Sequence, residues 1–336
     1  MSDLRTVLDE YWDQLAASPT SHAGVLRTSA LPVHTLCGPV LAAVDEAGAR
    51  HLMVPLRARQ RIADTPVGAA LAISERPLQN EDGYSRYADI ACGQRELDDV
   101  FTGLCRDVLV ALEADATRPY HTARVVVDRW RQLFAPVPRT LTPAQVTGLF
   151  GELIVLIRML EDDPDAVRHW TGPEGNRHDF TDGLRAVEVK SAVTTSERRT
   201  VQVHGLDQLQ EPVGGSLLLA WYRFEAHPGG ASLPELVTRA RNLCGDERTL
   251  LSKLVSLGYR PSGDNHRNEP RLRLVESRWH PVDDGFPRLT AASLGEQTLP
   301  PGVSDVQYTV DLAAVRAEPL DDEAVSEHLA AMGETA

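Results

Sequence analysis

The sequence lacks the features that mark a membrane or secreted protein. No run of about 18 apolar residues is present, which is the length that a membrane-spanning helix needs. The first residues, Met1–Arg5, show neither the basic region nor the apolar region of a signal peptide. The four cysteines are widely scattered, without the spacing of a metal site or the density of a disulfide framework. These absences predict a protein of the reducing cytoplasm with no membrane partner.

Several kinds of functional site are also missing. No Ser-His-Asp set and no Cys/His metal spacing stands out. The stretch His227–Gly230 lacks the Gly-Lys-Ser/Thr ending of a phosphate-binding loop, so it is interpreted as an ordinary loop. Aromatic residues make up 5% of the chain, which argues against a surface that stacks single-stranded bases. The candidate chemistry must therefore come from other residue types.

The net charge of −14 bears on the choice of partners. Nucleic acids are bound mainly by lysine and arginine side chains that neutralise phosphates. An acidic chain can bind DNA where its basic residues cluster locally, but it is poorly suited to hold long DNA unaided. The charge therefore favours help from a partner subunit or a guiding complex.

Length and proline content predict two domains. A chain of 336 residues is long for one domain and comfortable for two. The proline-rich stretch Phe134–Arg139 is the clearest break, so we predict an N-terminal accessory domain over residues 1–138 and a second domain over residues 139–336. The first half contains helical spacings and short apolar runs typical of an α+β domain, and it carries no catalytic signature.

The second half predicts the order α-β-β-β-α-β over about residues 140–225. Thr142, Pro143 and Gln145 open its first helix, because they provide an N-cap, a favourable first helical position and a capping box. The last two elements are predicted as a short helix at Leu206–Gln210 and a buried strand at Leu217–Tyr222.

Beyond this core, further helices and strands are predicted. A second capping box at Ser232–Glu235 opens a helical segment that ends near Gly258. Strands are predicted around Leu272–Val275 and Gln307–Val310, and the acidic tail Asp321–Glu323 is predicted to be solvated.

A carboxylate and a Glu-x-Lys pattern on two predicted strands form the centre of a candidate active site. Successive side chains of a strand point to opposite faces, so Glu188 and Lys190 share one face. Val187 and Val189 take the other face, which is predicted to be buried. Asp179 precedes them on the neighbouring short strand. Two carboxylates and one amine at the edge of a sheet are the parts of a Mg²⁺-dependent phosphodiester hydrolase.

Ordinary explanations exist for each residue taken alone. Glu188 and Lys190 could form an ion pair on a half-exposed strand, and Asp179 could serve a turn or a cap. Glu152 lies in an apolar stretch of the first helix, where a carboxylate needs a partner or a metal, yet it could also be a solvated helix residue. The combination of these residues in this order of elements favours the catalytic interpretation.

Flanking residues are less decisive. Arg198 and Arg199, on the turn after the Glu-x-Lys strand, could contact DNA phosphates or could simply be solvated. His178 and His204 could flank the active site, but a packing or hydrogen-bonding role explains them more simply.

At these motifs the chain resembles the PD-(D/E)XK nuclease superfamily, which has the restriction-endonuclease-like fold. More narrowly, it is similar to an uncharacterised bacterial family of PD-(D/E)XK-motif proteins that is often encoded among phage-defence and restriction-like genes. The proline that names the motif is absent, and His178 stands before the aspartate instead. The resemblance is carried by Gly148–Leu153, Trp170–Pro173, His178–Phe180, Val187–Lys190 and Asp207–Leu209.

The resemblance implies a role for five residues. Asp179 and Glu188 match the metal-binding carboxylates, and Lys190 matches the catalytic lysine. Glu152 matches the helix-borne acid, which would support the lysine or a further metal. Gln208 matches a glutamine that some of these nucleases place on the following helix. Mg²⁺, or alternatively Mn²⁺, is the implied cofactor.

The resemblance also implies a fold and a function. The fold would be an αβββαβ core with a central mixed sheet, in a chain of the α+β or α/β class. The function would be a Mg²⁺-dependent DNA endonuclease of a bacterial restriction or phage-defence system. The alternatives are a catalytically silent DNA-binding or assembly subunit of a defence complex, and an interaction protein in which these residues form an ion-pair cluster. Other subunits of such a complex and a homodimer stay open as partners.

Overall fold

A computed structural model describes residues 4–18, 25–62, 65–66, 70–80, 83–134, 141–259, 270–290 and 306–333. The chain is a mixed α+β protein, and it divides into two units. The first unit is Met1–Pro138 with Arg260–Arg267, and the second is Arg139–Tyr259 with Asn268–Ala336. Apart from Phe134, the predicted boundary stretch Phe134–Arg139 lies outside the described residues.

The first unit is built on an antiparallel six-stranded sheet with three helices. The helix Asp98–Ala114 begins with acidic residues and buries a continuous apolar face, on which Phe101 contacts Trp12 of the helix Leu4–Ala17 at 5.9 Å between ring centroids. The elements are α1 (Leu4–Ala17), β1 (Arg27–Thr35), β2 (Gly38–Val44), β3 (Arg50–Pro55), β4 (Thr65–Pro66), β5 (Leu71–Asn80), β6 (Gly83–Cys92), α2 (Asp98–Ala114) and α3 (Pro119–Trp130). The strand order is β1-β2-β3-β6-β5-β4.

The second unit begins with α4 (Pro143–Asp162), whose predicted capping box is confirmed. Thr142 Oγ1 accepts a hydrogen bond from the Gln145 N–H, and Gln145 Oε1 accepts one from the Thr142 N–H. Gly151 lets this helix approach the sheet closely, because a Cβ there would lie 2.0 Å from Ser191 Oγ. The helix is therefore fixed at both its start and its centre.

Helix α4 is also long and apolar enough to cross a membrane by length and composition. It is the one such helix among the described residues, and half of the apolar stretch is buried in the protein. Its contacts with the sheet, including Phe150 against Phe224 at 5.1 Å between ring centroids, account for its apolar side chains. Helices at the core of soluble proteins have the same composition, so this feature is weak evidence for a membrane span.

The central sheet of the second unit is mixed. Its strands are β7 (Phe180–Thr181), β8 (Arg185–Val193), β10 (Ser216–Ala231) and β11 (Leu272–Pro281), in the order β11-β10-β8-β7. β8 and β10 run parallel, whereas β7 and β11 pair antiparallel with their neighbours. β9 (Thr200–His204) does not join this sheet, and it pairs antiparallel with β12 (Gln307–Asp311). Val201, Val203 and Val310 of that ladder pack on the central sheet around Leu219 and Trp221.

The predicted helix at Leu206–Gln210 is wrong. The segment is a turn that starts at Gly205, whose φ is +93°, and Gln210 N–H bonds only as far back as the Asp207 carbonyl, at 3.0 Å. Gln208 Oε1 accepts a hydrogen bond from the His204 N–H at 2.9 Å, so the side chain bonds the backbone in place of a helical turn.

The C-terminal part also differs from the prediction. The capping box at Ser232 is confirmed, but the helical segment is broken by Gly245 into α5 (Leu233–Leu243) and α6 (Glu247–Ser256). The acidic residues at Asp321–Glu323 are exposed, as predicted, but they lie at the start of α7 (Asp322–Gly333) rather than in a tail. Asp321 Oδ1 accepts a hydrogen bond from the Ala324 N–H, and carboxylates at a helix N-terminus are favoured by the helix dipole.

Candidate active site

β8 brings Glu188 and Lys190 together on one face. Lys190 Nζ lies 2.8 Å from Glu188 Oε1, as expected for side chains two residues apart on a strand. Glu188 is only 2% exposed, although its face was expected to be the open one. Val187 and Val189 are buried on the opposite face. Because both faces of the strand are covered, this pair is not the solvated ion pair of an ordinary surface strand.

Asp179 lies directly before β7 and opposite Glu188. The β7–β8 ladder pairs Phe180 with Val187, so the next position along places Asp179 beside Glu188. Residues that stand opposite each other in an antiparallel pair share a face of the sheet. Asp179 Oδ2 accepts a hydrogen bond from the Val189 N–H at 2.7 Å, which fixes one oxygen of the carboxylate.

The backbone around Asp179 is held just as firmly. Its carbonyl accepts hydrogen bonds from the N–H groups of Thr171 and Gly172, at 2.8 and 3.0 Å. A Cβ on Gly172 would lie 2.9 Å from Asp179 Oδ1, so glycine is required for this approach. The motif Trp-Thr-Gly-Pro therefore acts as a support for the aspartate.

Glu152 reaches the same region from α4. Its Oε2 accepts a hydrogen bond from Trp170 Nε1 at 2.8 Å, and the Trp170 ring is fully buried. The Trp170 carbonyl in turn accepts a hydrogen bond from Lys253 Nζ, and Lys253 pairs with Glu174 at 2.9 Å. Trp170 and Lys253 were not predicted as site residues, since their contacts join segments that are far apart in the chain.

Gln208 also reaches the site, although it lies on a turn rather than a helix. Its Oε1 accepts a hydrogen bond from Lys190 Nζ at 3.1 Å. The ammonium group of Lys190 is thus held between a carboxylate and an amide oxygen.

The carboxylates repel one another in a buried setting. Burial raises the pKa of Glu188 to about 8, with further contributions from Asp179 and Glu152, and Lys190 opposes the shift. Burial also raises the pKa of Glu152, reinforced by Asp179 and opposed by the Trp170 hydrogen bond and by Lys190. Burial raises the pKa of Asp179 against the hydrogen bond from Val189 and the charge of Lys190. Concentrated negative charge of this kind is relieved by protons or by a cation.

His178 is buried beside this cluster. Burial lowers its pKa to about 4, and the charge of Arg177 contributes, while a backbone hydrogen bond with Gln210 opposes the shift. The imidazole is therefore neutral at physiological pH, which agrees with a packing role. His204 is exposed at the end of β9.

The donor set fits a hard divalent cation. Glu188 Oε2 is buried without a hydrogen-bond partner in the described chain, and Asp179 supplies a second carboxylate. Within the described ranges, no group of three or more His, Cys, Asp or Glu side chains is arranged to hold a metal. Mg²⁺ commonly takes one or two carboxylates and completes its shell with waters and substrate oxygens, so two suffice. Glu152, in contrast, is engaged by Trp170.

Two acids and a lysine at the edge of a mixed sheet, with a glutamine from a neighbouring turn, are the residue types of a PD-(D/E)XK site. The chain belongs to the family described as "Putative PD-(D/E)XK family member" (DUF4420), whose model matches residues 8–313. The resemblance seen in the sequence is thereby confirmed. No curated protein and no solved structure matches the chain. Membership suggests a nuclease-like function, because the superfamily consists mostly of nucleases that generally use divalent metals.

Proposed function

We propose that this protein is a Mg²⁺-dependent DNA endonuclease of a bacterial restriction or phage-defence system, with Mn²⁺ as an alternative metal. The observation that carries this proposal is the grouping of Asp179, Glu188 and Lys190 at neighbouring positions of β7 and β8, with Glu188 and Lys190 in contact at 2.8 Å. The proposed nuclease domain is residues 139–336, with residues 1–138 as an accessory domain. The proposed compartment is the cytoplasm, where the substrate DNA is found.

Each residue of the site has a defined task in this proposal. Asp179 and the unpaired oxygen of Glu188 would hold the ion. A bound Mg²⁺ neutralises charge on the scissile phosphate and lowers the pKa of a bound water. Lys190 has three N–H donors, of which two are directed at Glu188 and Gln208. The third N–H can donate to a phosphate oxygen or orient the attacking water. Glu152 has none of these tasks, and its carboxylate accepts the hydrogen bond from Trp170.

The use of lysine supports a catalytic role for Lys190. The chain contains two lysines, Lys190 and Lys253, and all its remaining long basic side chains are arginines. A guanidinium is a planar fork suited to bidentate pairing, whereas an ammonium is a compact point charge with three donors. A chain that selects arginine at nearly all basic positions has one of its two lysines where the proposed reaction needs a compact donor.

A plasmid-nicking assay tests the proposal. The wild-type protein is incubated with supercoiled DNA in Mg²⁺ or in EDTA, beside Lys190→Ala and Lys190→Arg. The control is Arg273→Ala, which removes a cation from β11 of the same sheet. We expect nicking that requires Mg²⁺, is lost in both Lys190 variants and is retained in the control. Undiminished nicking by Lys190→Ala, with an unchanged melting temperature, would contradict the assignment.

A second candidate is a catalytically silent DNA-binding or assembly subunit of a defence complex, either as a homodimer or with other subunits. Two observations favour it. The net charge is −14, and Glu152 bonds Trp170 instead of joining Asp179 and Glu188 as a third carboxylate for a metal. Such a subunit would bind DNA equally well with and without Mg²⁺ and would leave the plasmid intact. Calorimetric titration with Mg²⁺ separates the two, since only the enzyme is expected to bind the ion through Asp179 and Glu188.

A further inference from the structure

Three arginines converge on one glutamate in the second unit. The sequence left open whether Arg199, on the turn after β8, is solvated or contacts phosphate. Its Nε lies 2.7 Å from Glu276 Oε1. Arg278 Nε lies at the same distance from the same oxygen, and Arg223 contacts Glu276 Oε2 at 3.3 Å. These four residues are called the arginine cluster below.

The arginine cluster lies on the same face of the central sheet as Lys190. Lys190 stands opposite Trp221 of β10, which stands opposite Arg278 of β11. Arg223 is two residues beyond Trp221 and stands opposite Glu276. Directly paired residues and residues two apart on a strand share a face, so Lys190, Trp221 and Arg278 form one row, in which the central Trp221 is buried under the β9–β12 ladder. With strands about 4.8 Å apart, the backbone offset from Lys190 to Arg278 is about 10 Å.

The charges of the cluster do not balance. One carboxylate faces three guanidinium groups, and none of the three arginines has another acid within ion-pair distance in the described part of the chain. The side chain of Arg223 is only 16% exposed, and its Nε is buried without a hydrogen-bond partner among the described residues. Partly buried charge without a partner is unfavourable, so two positive charges remain available for an anion.

The pKa of Glu276 reflects this excess of positive charge. Burial alone would raise the pKa of Glu276, but hydrogen bonds from Arg278 and Arg199 outweigh it and lower the pKa. Glu276 therefore stays ionised and holds the arginines in place, as a spacer between like charges. A neighbouring pair on the same two strands, Arg273 with Glu225, is balanced one to one.

We propose that the arginine cluster is a second phosphate-binding subsite, which holds the backbone of the DNA substrate to one side of the scissile phosphate. Arginine suits this ligand, because its planar fork of N–H donors matches phosphate oxygens. An offset of about 10 Å from Lys190 places the subsite within a few nucleotides of the scissile phosphate, since phosphates of one strand follow each other about every 3.4 Å along the helix axis. This subsite gives an acidic protein the local basic surface that DNA binding requires. The inference rests on the proposed function, because it takes DNA as the ligand.

The test measures DNA binding without cleavage. Fluorescence anisotropy of a short labelled duplex is recorded in EDTA over a range of NaCl concentrations, for wild type, Arg223→Gln and Arg278→Gln. Arg273→Gln is the matched control, since it removes an arginine of the same sheet that is balanced by Glu225. We expect the cluster variants to bind roughly tenfold more weakly. We also expect the slope of log K against log salt to fall by about 1. The control should match wild type.

A structural role predicts a different result. If the arginine cluster only stabilised the sheet, its variants would melt earlier than wild type and would bind DNA with unchanged affinity and slope, which would overturn the inference. In our account, loss of one arginine relieves repulsion, so the melting temperature of the free protein stays the same or rises. The nicking assay separates the two claims. If the protein binds DNA through the arginine cluster but shows no Mg²⁺-dependent nicking, the proposed endonuclease activity is wrong and the phosphate-binding subsite stands. A wild-type protein that neither binds nor nicks DNA overturns both.

Discussion

Replacing Glu188 by glutamine should stabilise the second unit at alkaline pH and have little effect near pH 4.5. In the metal-free folded protein the pKa of Glu188 is raised from its ordinary 4.5 to about 8. Between these two values the folded state keeps a proton that the unfolded state releases, so the stability of the wild type falls as the pH rises through this window. Above about pH 8 the carboxylate is charged in both states, so the folded state bears the full cost of a buried charge.

The structure sets the size of this effect. At about 1.4 kcal/mol for each pKa unit, the gap between 4.5 and about 8 is worth about 5 kcal/mol as a ceiling. Glutamine keeps the shape of the side chain and an oxygen that can accept from Lys190. The variant should therefore be more stable than wild type by several kcal/mol at pH 9, and the difference should shrink steadily towards pH 5.

The assay must report on the second unit alone, because a chain of two units can unfold in more than one step. Urea unfolding followed by hydrogen–deuterium exchange of peptides from β8 meets this need. Measurements in EDTA at several pH values compare wild type, Glu188→Gln and the control Glu197→Gln, whose side chain is exposed. Equal pH dependence of wild type and Glu188→Gln, or a less stable variant at pH 9, would refute the reasoning.

Two further predictions concern the support of the site. Gly215→Ala should lower the free energy of unfolding by about 3 kcal/mol, because its Cβ would lie 1.7 Å from the Leu184 carbonyl oxygen. Gly214→Ala should lower it by only about 1 kcal/mol, because that position has open space but a φ of +70°. Urea unfolding measures both. The reverse order would contradict the close approach of backbones there. Trp170→Phe should lower the free energy of unfolding by about 1–3 kcal/mol, since Glu152 loses its hydrogen bond while an aromatic ring remains; an unchanged value would show that this bond is not formed.

Local signals in the sequence were reliable where a residue and its partner are close in the chain. The capping boxes at Thr142 and Ser232 are formed as predicted, because each consists of two side chains and two N–H groups within one turn. The shared face of Glu188 and Lys190 follows in the same way from the alternation of a strand.

Contacts between distant segments could not be predicted in this way. The ladder between β9 and β12, the Trp170 hydrogen bond to Glu152, and the ion pair of Arg199 with Glu276 all depend on how helices and strands are placed after folding. The burial of Glu188 has the same origin, since alternation gives the face of a residue but not what covers that face. The helix predicted at Leu206–Gln210 is wrong because of local chemistry, since Gly205 and the side chain of Gln208 form a turn there.

The most direct test of the central claim is the rate of plasmid nicking in saturating Mg²⁺ by Lys190→Ala relative to wild type. If Asp179, Glu188 and Lys190 form a catalytic site, loss of the lysine should slow nicking by a factor of about 100 or more, the size of a positioned catalytic group. DNA binding and the melting temperature should change little. A variant that nicks DNA at the wild-type rate, or a wild-type protein whose nicking is the same in EDTA, would contradict the account.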